Sequence, residues 1–426
     1  MARTSFDATA VADALASLAE VDAERARRYP GDAGGRQPVH TCYVPADRVH
    51  ADLPGEWGAA ALAALDEHAP TPADLAAVLD LAPELAGAVH PRVRAKLAGE
   101  PVEDLRIDFE DGYGAPGDDQ EDADAVAAAG HVADWCAAGT CPPSFGARVK
   151  SFDTPVLRAR SVRTLDVLLT ALLERTGGAL PDGFVLTFPK VTATAQVEAF
   201  VAVLGLAERA LGLPDRALRF EIQVETTQSV LDGSGSLALP AWIEAGQGRV
   251  SGLHFGTYDY TAACGLSAAQ QHLAHGACDF ARHVMQLAAA GTGVRLSDGS
   301  TNVLPVGDAG QVRSGWRTHG TLVRRGLDHG FYQGWDLHPA QLVSRYAAVF
   351  AFFRSGLDAD AARLRRYVGR GGGAVLDEPA TAQALAGSLR RAVDCGAVEA
   401  AEVERLTGLS SADLLALAAR RPLPGS

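Results

Sequence analysis

Eight short apolar runs, separated by stretches long enough to form helices, limit the fold of this chain more than any other feature of the sequence. The intervening stretches are rich in Ala and Leu, which favours helix. Strands that alternate with helices usually pair in parallel, and eight of them predict a (β/α)8 TIM barrel. A doubly wound open sheet is the alternative, but no Gly-x-Gly-x-x-Gly motif follows an early strand. The runs lie at residues 39–45, 105–112, 145–150, 183–190, 219–226, 250–256, 293–298 and 330–339.

Helical segments flank the predicted barrel at both ends. Residues 5–28 show helical periodicity and precede a Gly-rich linker, so we assign residues 1–36 to an N-terminal helical segment and linker. Residues 37–345 form the barrel with the active site, and residues 346–426 form a C-terminal helical appendage. Within that appendage, residues 369–373 lack the Lys-Ser/Thr of a phosphate loop and therefore predict a flexible hinge.

Charge and composition exclude several classes of partner. The formal charge is −14 and no basic run is present to neutralise phosphates, which argues against nucleic acid. No apolar segment approaches the roughly 20 residues that a membrane span needs, and the first residues lack the apolar core of a signal peptide. The six cysteines are scattered, as is typical of reduced thiols, so we expect a cytoplasmic protein. The apolar C-terminal helices favour either a homo-oligomer or closure of the barrel.

The fifth run carries polar residues on a face that should be buried. Alternation places Glu221, Gln223 and Glu225 on one side of this strand. Buried acids are costly unless they are paired, and a bound cation is one way to pair them. A further acid, Asp259, follows the sixth run, and the two carboxylates Glu225 and Asp259 suit a hard divalent cation with open positions for a substrate. The alternative for Glu225 is a salt bridge to Lys190.

Other strands also end in charged residues that could act in catalysis or binding. The carboxyl ends of all barrel strands lie on the same face of the barrel. Alternation points Glu110 into the cavity as a general base or as a residue that orders metal-bound water. Asp111 either joins it there or caps a helix. Arg148 is expected to stabilise an oxyanion or enolate. Lys190 forms either a Schiff base or, more simply, a structural ion pair.

Three further polar residues lie in or next to these runs, and the first of them, Glu221, is expected to be structural. Glu221 lies about 6 to 7 Å deeper in its strand than Glu225, and we expect it to pair with Arg148 or Lys150. Asp336, with His338, ends the eighth run. His338 is either an acid or base in the reaction or part of a simple turn.

Seven short motifs, in chain order, resemble the HpcH/HpaI aldolase and citrate lyase beta-subunit family. That resemblance implies a Mg2+-dependent (or Mn2+-dependent) (β/α)8 enzyme that acts on 2-keto acids and acyl-CoA thioesters. It also implies Glu225 and Asp259 as metal ligands, Arg148 as the substrate and oxyanion residue, and Glu110 with Asp111 around the metal waters. One departure is Lys150, which stands where the family commonly has Asn. The motifs are Tyr43-Val44-Pro45-Ala46, Asp108-Phe109-Glu110-Asp111, Arg148-Val149-Lys150, Phe188-Pro189-Lys190, Val224-Glu225-Thr226, Phe255-Gly256-Thr257-Tyr258-Asp259 and Leu337-His338-Pro339-Ala340-Gln341.

These observations predict a metal-dependent carbon–carbon lyase or aldolase of the citrate-lyase-beta type, acting through a metal-stabilised enolate. Lys190 and Gly256 are expected to bind substrate together with Arg148. An alternative within enzymes is a malate-synthase-like Claisen condensation of acetyl-CoA with glyoxylate. An alternative of another class is a non-catalytic subunit that binds acyl-CoA or an acyl carrier, which would need no pair of metal ligands.

Overall fold

Eight parallel strands form a closed barrel in the computed structural model, which describes residues 5–32, 34–369, 378–421 and 423. Neighbouring strands pair in chain order, and β1 pairs with both β2 and β8. The gap between β7 and β8 is bridged by a parallel pairing of Ser297 with Gln333. The strands are β1 Thr41–Pro45, β2 Asp104–Asp108, β3 Ser144–Arg148, β4 Phe184–Phe188, β5 Phe220–Val224, β6 Val250–Phe255, β7 Arg295–Ser297 and β8 Trp335–Asp336.

Helices surround the barrel, and further helices form the N-terminal and C-terminal segments of the described chain. Several start with a hydroxyl side chain that accepts a hydrogen bond from the first turn, as Thr71, Thr154 and Ser410 do. The helices of the described residues are Ala8–Leu15, Leu18–Arg28, Leu53–His68, Pro72–Leu79, Pro83–Gly99, Asp118–Ala138, Pro155–Arg175, Thr194–Leu211, Thr227–Val230, Ala238–Ala245, Thr257–Ala263, Gly276–Ala289, Ala309–Asp328, Gln341–Ser355, Leu357–Val368, Pro379–Asp394, Ala400–Thr407 and Ser411–Ala418, with 3-10 turns at Ala46–Arg48 and Ala268–Gln270.

The fifth strand shows how the alternating pattern builds the barrel. All five residues of β5 are buried, but their two faces meet different surroundings. Phe220 points outward and packs edge-on against Phe200 of the helix Thr194–Leu211, with ring centroids 5.1 Å apart. Glu221 and Gln223 point inward, where ion pairs and hydrogen bonds fill the interior. The strand therefore gains apolar packing on one face and presents polar groups to the barrel axis on the other.

One glycine is required for the strands to pair. A Cβ at Gly146 of β3 would lie 1.7 Å from the carbonyl oxygen of Val185 in β4, a distance that no side chain tolerates. Only glycine permits this close approach of two backbones.

The C-terminal helices begin inside the core. The helix Gln341–Ser355 is buried along almost its entire length. Tyr346 donates a hydrogen bond to the carbonyl of Pro101, 2.9 Å away, which ties this helix to the loop before β2. The helix crosses the boundary expected at residues 345/346, and the division into domains stays a prediction.

The predicted barrel is confirmed, and its seventh strand, expected within residues 293–298, is Arg295–Ser297. Among the described residues, no helix combines the length and the apolar character that a membrane span requires. The hinge predicted at residues 369–373 falls, except for Gly369, outside the described residues.

Candidate active site

An ammonium group surrounded by carboxylates lies at the carboxyl end of the barrel. Nζ of Lys190, just after β4, is 2.9 Å from Asp111, 3.2 Å from Asp259 and 3.3 Å from Glu110. Two of these acids follow β2, and Asp259 lies in the first turn of the helix after β6. Acids from two strand ends are thus held together around one cation.

Glu225 lies next to this group and is almost completely buried. One carboxylate oxygen accepts a hydrogen bond from the backbone N–H of Lys190 at 2.8 Å, and the other accepts one from the side-chain amide of Gln223. Lys190 adopts a left-handed backbone with φ of 50°, which is uncommon for a residue with a side chain. Lys190 therefore contacts the acids in two ways: its backbone N–H binds Glu225, and its ammonium group contacts the other three acids.

Gly256 provides the space that Glu225 occupies. A Cβ at position 256 would lie 2.5 Å from Cβ and 2.8 Å from a carboxylate oxygen of Glu225. The φ of Gly256 is −100°, which any residue can adopt, so the requirement for glycine comes from the contact alone. In this structure Gly256 therefore affects the site by leaving room for the side chain of Glu225.

Burial and crowding change the protonation of these groups. Burial raises the pKa of Glu225 to about 8, against the opposing charge of Lys190, and raises the pKa of Glu110 to about 7. Asp111 is half exposed. Partial burial acts to raise its pKa, but the hydrogen bond from Lys190 outweighs this and the pKa is lowered. The pKa of Lys190 is raised because the charges of Glu225, Glu110 and Asp111 outweigh its burial. The site carries more negative charge than one ammonium neutralises, a condition that favours a further cation.

Arg148 is held rigidly beside the acids. Its Nε and Nη2 donate to the two oxygens of Asp108, both at 2.7 Å, and Nη1 donates to Gln223 at 3.2 Å. The guanidinium also lies over the ring of Tyr43, 4.8 Å from the centroid. Of the five N–H bonds of an arginine, these hydrogen bonds use three, and Nη1 faces Glu110 at 3.3 Å. Arg148 therefore keeps donor capacity toward the acid cluster.

Lys150, just after β3, supports the loop that carries two of the acids. It is buried, and its Nζ donates to the carbonyls of Phe109 at 2.6 Å and Gly114 at 3.2 Å. An ion pair of 3.0 Å with the buried Glu121 neutralises it. Lys150 thus anchors the loop that carries Glu110 and Asp111.

The prediction that Glu221 pairs with Arg148 or Lys150 is wrong. Arg106 of β2 binds both oxygens of Glu221 at 3.0 Å, and His254 lies 2.8 Å from one of them. The reason is depth: Glu221 lies one layer below Arg148, at the level where Arg106 and His254 point inward. Glu221 is structural, as expected, but with different partners.

The structure brings most of the sequence-predicted residues together and separates a few. Asp336 is fully buried and bound by Arg345, His319 and His40, away from the acid cluster. Asp111 does not cap a helix, since the next helix begins at Asp118 after Gly117. The residues that converge at the carboxyl end are Glu110, Asp111, Arg148, Lys190, Glu225, Gly256 and Asp259.

Two further residues of the site were not selected from the sequence. Asp108 orients Arg148 and also accepts the backbone N–H groups of Glu110 and Gly112, each at 3.0 Å. Gln223 joins Arg148 to Glu225. The sequence feature that could have identified them is alternation, which places both side chains on the inner face of a buried strand. A buried polar residue at such a position needs a hydrogen-bond partner.

The donor set fits a hard divalent cation. Among the described residues no three His, Cys, Asp or Glu side chains already stand in metal-binding positions. Glu225 and Asp259 nevertheless supply the carboxylate oxygens that Mg2+ prefers, and one or two carboxylates with water commonly suffice for that ion. The oxygen of Glu110 that faces Arg148 at 3.3 Å is buried without a hydrogen bond, which leaves it able to accept one from metal-bound water.

Known structures share this architecture. A citrate lyase from Burkholderia xenovorans LB400 is 18% identical, with a TM-score of 0.55 over 87% of this chain and 96% of that one. A malate synthase from Haloferax volcanii, in a magnesium and glyoxylate complex, is 13% identical, with a TM-score of 0.50 over 90% of this chain and 98% of that one. At such identities the likeness concerns the fold.

Comparison at the level of sequence places the chain in one family. No curated protein matches it. The resemblance to HpcH/HpaI aldolases stays a prediction. A family model described as a domain of unknown function, DUF6986, matches residues 18–422, and the chain belongs to that family.

Proposed function

We propose that this protein is a divalent-metal-dependent carbon–carbon lyase or aldolase that acts on a 2-keto acid or an acyl-CoA thioester. The observation that carries the proposal is the cluster of acids around Lys190: Glu110, Asp111 and Asp259 contact its ammonium group and Glu225 accepts its backbone N–H. Arg148 lies against this cluster. Acids are rarely concentrated in this way for stability alone, because like charges raise the free energy of the folded state.

Glu225 and Asp259 are the residues that would hold Mg2+ or Mn2+. Such an ion, when bound, supplies a Lewis acid for the carbonyl oxygen of a keto acid. Gln223 and the backbone N–H of Lys190 fix the carboxylate of Glu225, and supporting hydrogen bonds of this kind orient metal ligands. Glu110 and Asp111 contact the Lys190 ammonium and suit contact with the ion through water.

Arg148 is suited to bind and stabilise an oxyanion. Its two bonds to Asp108 fix the plane of the guanidinium, and unused N–H groups remain on the side of the cluster. A donor that is already oriented needs no reorganisation when negative charge develops on the substrate oxygen.

Glu110 is suited to move a proton. Its pKa of about 7 allows both protonation states near neutral pH, as a general base or acid requires. Lys190 does not suit a Schiff base, because the surrounding carboxylates raise its pKa and keep the ammonium protonated. We assign Lys190 to charge balance in the cluster and to binding of an anionic substrate.

A malate-synthase-like condensation of an acyl-CoA with a keto acid is the second candidate. It uses the same metal and the same arginine, and the similarity to a malate synthase that binds magnesium and glyoxylate supports it. Oxaloacetate, pyruvate and glyoxylate, each with and without acetyl-CoA, are therefore the substrates to test.

The test is metal dependence together with removal of each ligand. EDTA should abolish turnover and Mg2+ or Mn2+ should restore it. Glu225→Gln and Asp259→Asn should each lose Mg2+ binding in calorimetry while the circular dichroism spectrum is unchanged. Glu198→Gln, at an exposed helix position, is the matched control and should bind Mg2+ as the wild type does.

Two results would contradict the proposal. Unchanged Mg2+ affinity in both ligand variants would remove Glu225 and Asp259 from the metal site. A borohydride-reduced adduct on Lys190 with pyruvate, together with activity in EDTA, would replace the metal mechanism with an imine mechanism.

A further inference from the structure

A second polar cavity lies at the opposite end of the barrel from the acid cluster. Its volume is about 260 Å3, below the roughly 300 to 1,000 Å3 of pockets for drug-sized ligands. The residues around it stand at the amino ends of the strands, such as Ser144 of β3, Phe184 of β4 and Arg295 of β7. It is therefore separate from the proposed catalytic site, whose residues follow the carboxyl ends.

The lining of this cavity is strongly basic in a chain of charge −14. Four arginines line it: Arg36, Arg106, Arg219 and Arg295. Arg36 is neutralised by ion pairs with the acids at positions 100 and 103. Arg106 is neutralised inside the barrel by ion pairs with the acids at positions 104 and 221. The carboxylates that also face the cavity are thus already used.

Arg219 and Arg295 are not neutralised in this way. Arg295 donates to the backbone carbonyls of Arg36 at 2.6 Å and Gly35 at 2.7 Å, which leaves its charge uncompensated. Within the described part of the chain, the side chain of Arg219 has no hydrogen-bond or ion-pair partner. Burial lowers the pKa of Arg295. The charge of Asp32 acts to raise that pKa, whereas the charge of Arg219 lowers it further. Two guanidinium groups therefore line one cavity, and no carboxylate of the described residues forms an ion pair with either.

A buried histidine supplies an independent indication of a ligand. His254 is 2% exposed and lines the cavity. Its Nε2 lies 2.8 Å from Glu221, but its Nδ1 is buried without any hydrogen-bond partner. An unsatisfied buried polar atom is costly. With Nε2 donating to Glu221, Nδ1 is left as an acceptor, which a hydroxyl group of a ligand would satisfy. Gln333, on the same wall, already donates its amide to Thr41 at 2.9 Å.

We propose that this cavity binds a small divalent oxyanion, carrying either a phosphate group or two carboxylates. Arg219 and Arg295 would supply charge and paired N–H donors, the geometry in which guanidinium groups recognise such anions. Nδ1 of His254, as an acceptor, would take a hydrogen bond from a protonated oxygen of the ligand. The ligand binds at the amino end of the strands, so its binding does not require the acid cluster.

Calorimetry of the full chain tests this site, with inorganic phosphate and succinate titrated separately at constant ionic strength and without Mg2+. Wild type should bind at least one of them saturably at one site, and the one that binds identifies the anionic group. Arg219→Gln should weaken that binding about tenfold or more, since one charge-assisted contact is lost. Arg219 is exposed, so this variant should fold. Arg295→Gln should have a similar effect.

Two controls separate this site from other causes. Arg158→Gln removes an exposed arginine at the carboxyl end of the barrel, in the first turn of Pro155–Arg175, and should leave the affinity unchanged. Glu225→Gln should also leave it unchanged. The proposal is overturned if neither anion binds saturably to wild type, if Arg219→Gln keeps the wild-type affinity, or if Glu225→Gln abolishes the binding.

Discussion

Gly256→Ala tests the position of Glu225 without altering the chemistry of any acid. The new methyl carbon would lie 2.5 Å from Cβ and 2.8 Å from a carboxylate oxygen of Glu225. Carbon atoms in contact normally lie about 3.5 to 4.0 Å apart, so Glu225 has to move by roughly 1 Å. Glu225 is buried and hydrogen-bonded at both oxygens, and a movement of that size breaks at least one of those bonds.

The expected size of the effect of Gly256→Ala follows from two contributions, one to stability and one to metal affinity. Overpacking a buried site lowers the free energy of unfolding by about 1 to 3 kcal/mol. Loss of a supporting hydrogen bond to a metal ligand lowers metal affinity by roughly 10- to 100-fold. We therefore expect Gly256→Ala to weaken Mg2+ binding by about that factor, measured by calorimetry, with a moderate loss of stability, measured by urea unfolding.

Gly87→Ala is the matched control. A Cβ at Gly87, within the helix Pro83–Gly99, would have no atom within 4 Å. Alanine in a helix is more stable than glycine by about 0.5 to 1 kcal/mol, so this variant should be slightly more stable and bind Mg2+ normally. If Gly256→Ala binds Mg2+ with wild-type affinity, Glu225 is not a ligand held in place by this contact, and the reasoning fails.

Three further predictions concern the same end of the barrel. Arg148→Lys should lower kcat by about 100-fold or more with little change in KM, because a point charge cannot replace the oriented donors; steady-state kinetics within about threefold of wild type would assign Arg148 a structural role. Mg2+ affinity should rise with pH up to about pH 8 and then level off, since the raised pKa values of Glu225 and Glu110 mean that protons compete with the metal below that pH; calorimetry across this range that shows no pH dependence would contradict it. Lys150→Met should lower the free energy of unfolding by about 3 to 5 kcal/mol, because it leaves the buried Glu121 without its partner, and the additional change Glu121→Gln should restore part of the loss in urea unfolding.

The sequence by itself was enough to predict the barrel and the end at which the acids collect. Periodicity of two residues in short apolar runs is a local property, and it correctly placed Phe220 outward and Glu221 inward. The carboxyl ends of parallel strands share one face, so polar residues after β2, β4 and β6 had to lie near one another. The acids around Lys190 follow from that geometry.

Pairing between inward side chains was decided only by the tertiary structure. Alternation states which face a residue is on, but not the level at which residues of different strands meet. The stagger of the strands places Glu221 level with Arg106 and His254, and not with Arg148. Lys150 was an expected alternative partner of Glu221, but it forms its ion pair with Glu121 instead.

The basic cavity at the amino end depends even more on the closed fold. Arg36, Arg219 and Arg295 belong to segments that are distant along the chain, and none forms a motif with its neighbours. Whether each charge is neutralised depends on acids brought by other segments: Glu103 reaches Arg36, whereas no acid pairs with Arg219 among the described residues. Local pattern determines the elements and their faces, because these depend on neighbouring residues. Closure of the barrel determines which charges meet, because that depends on contacts between strands far apart in sequence.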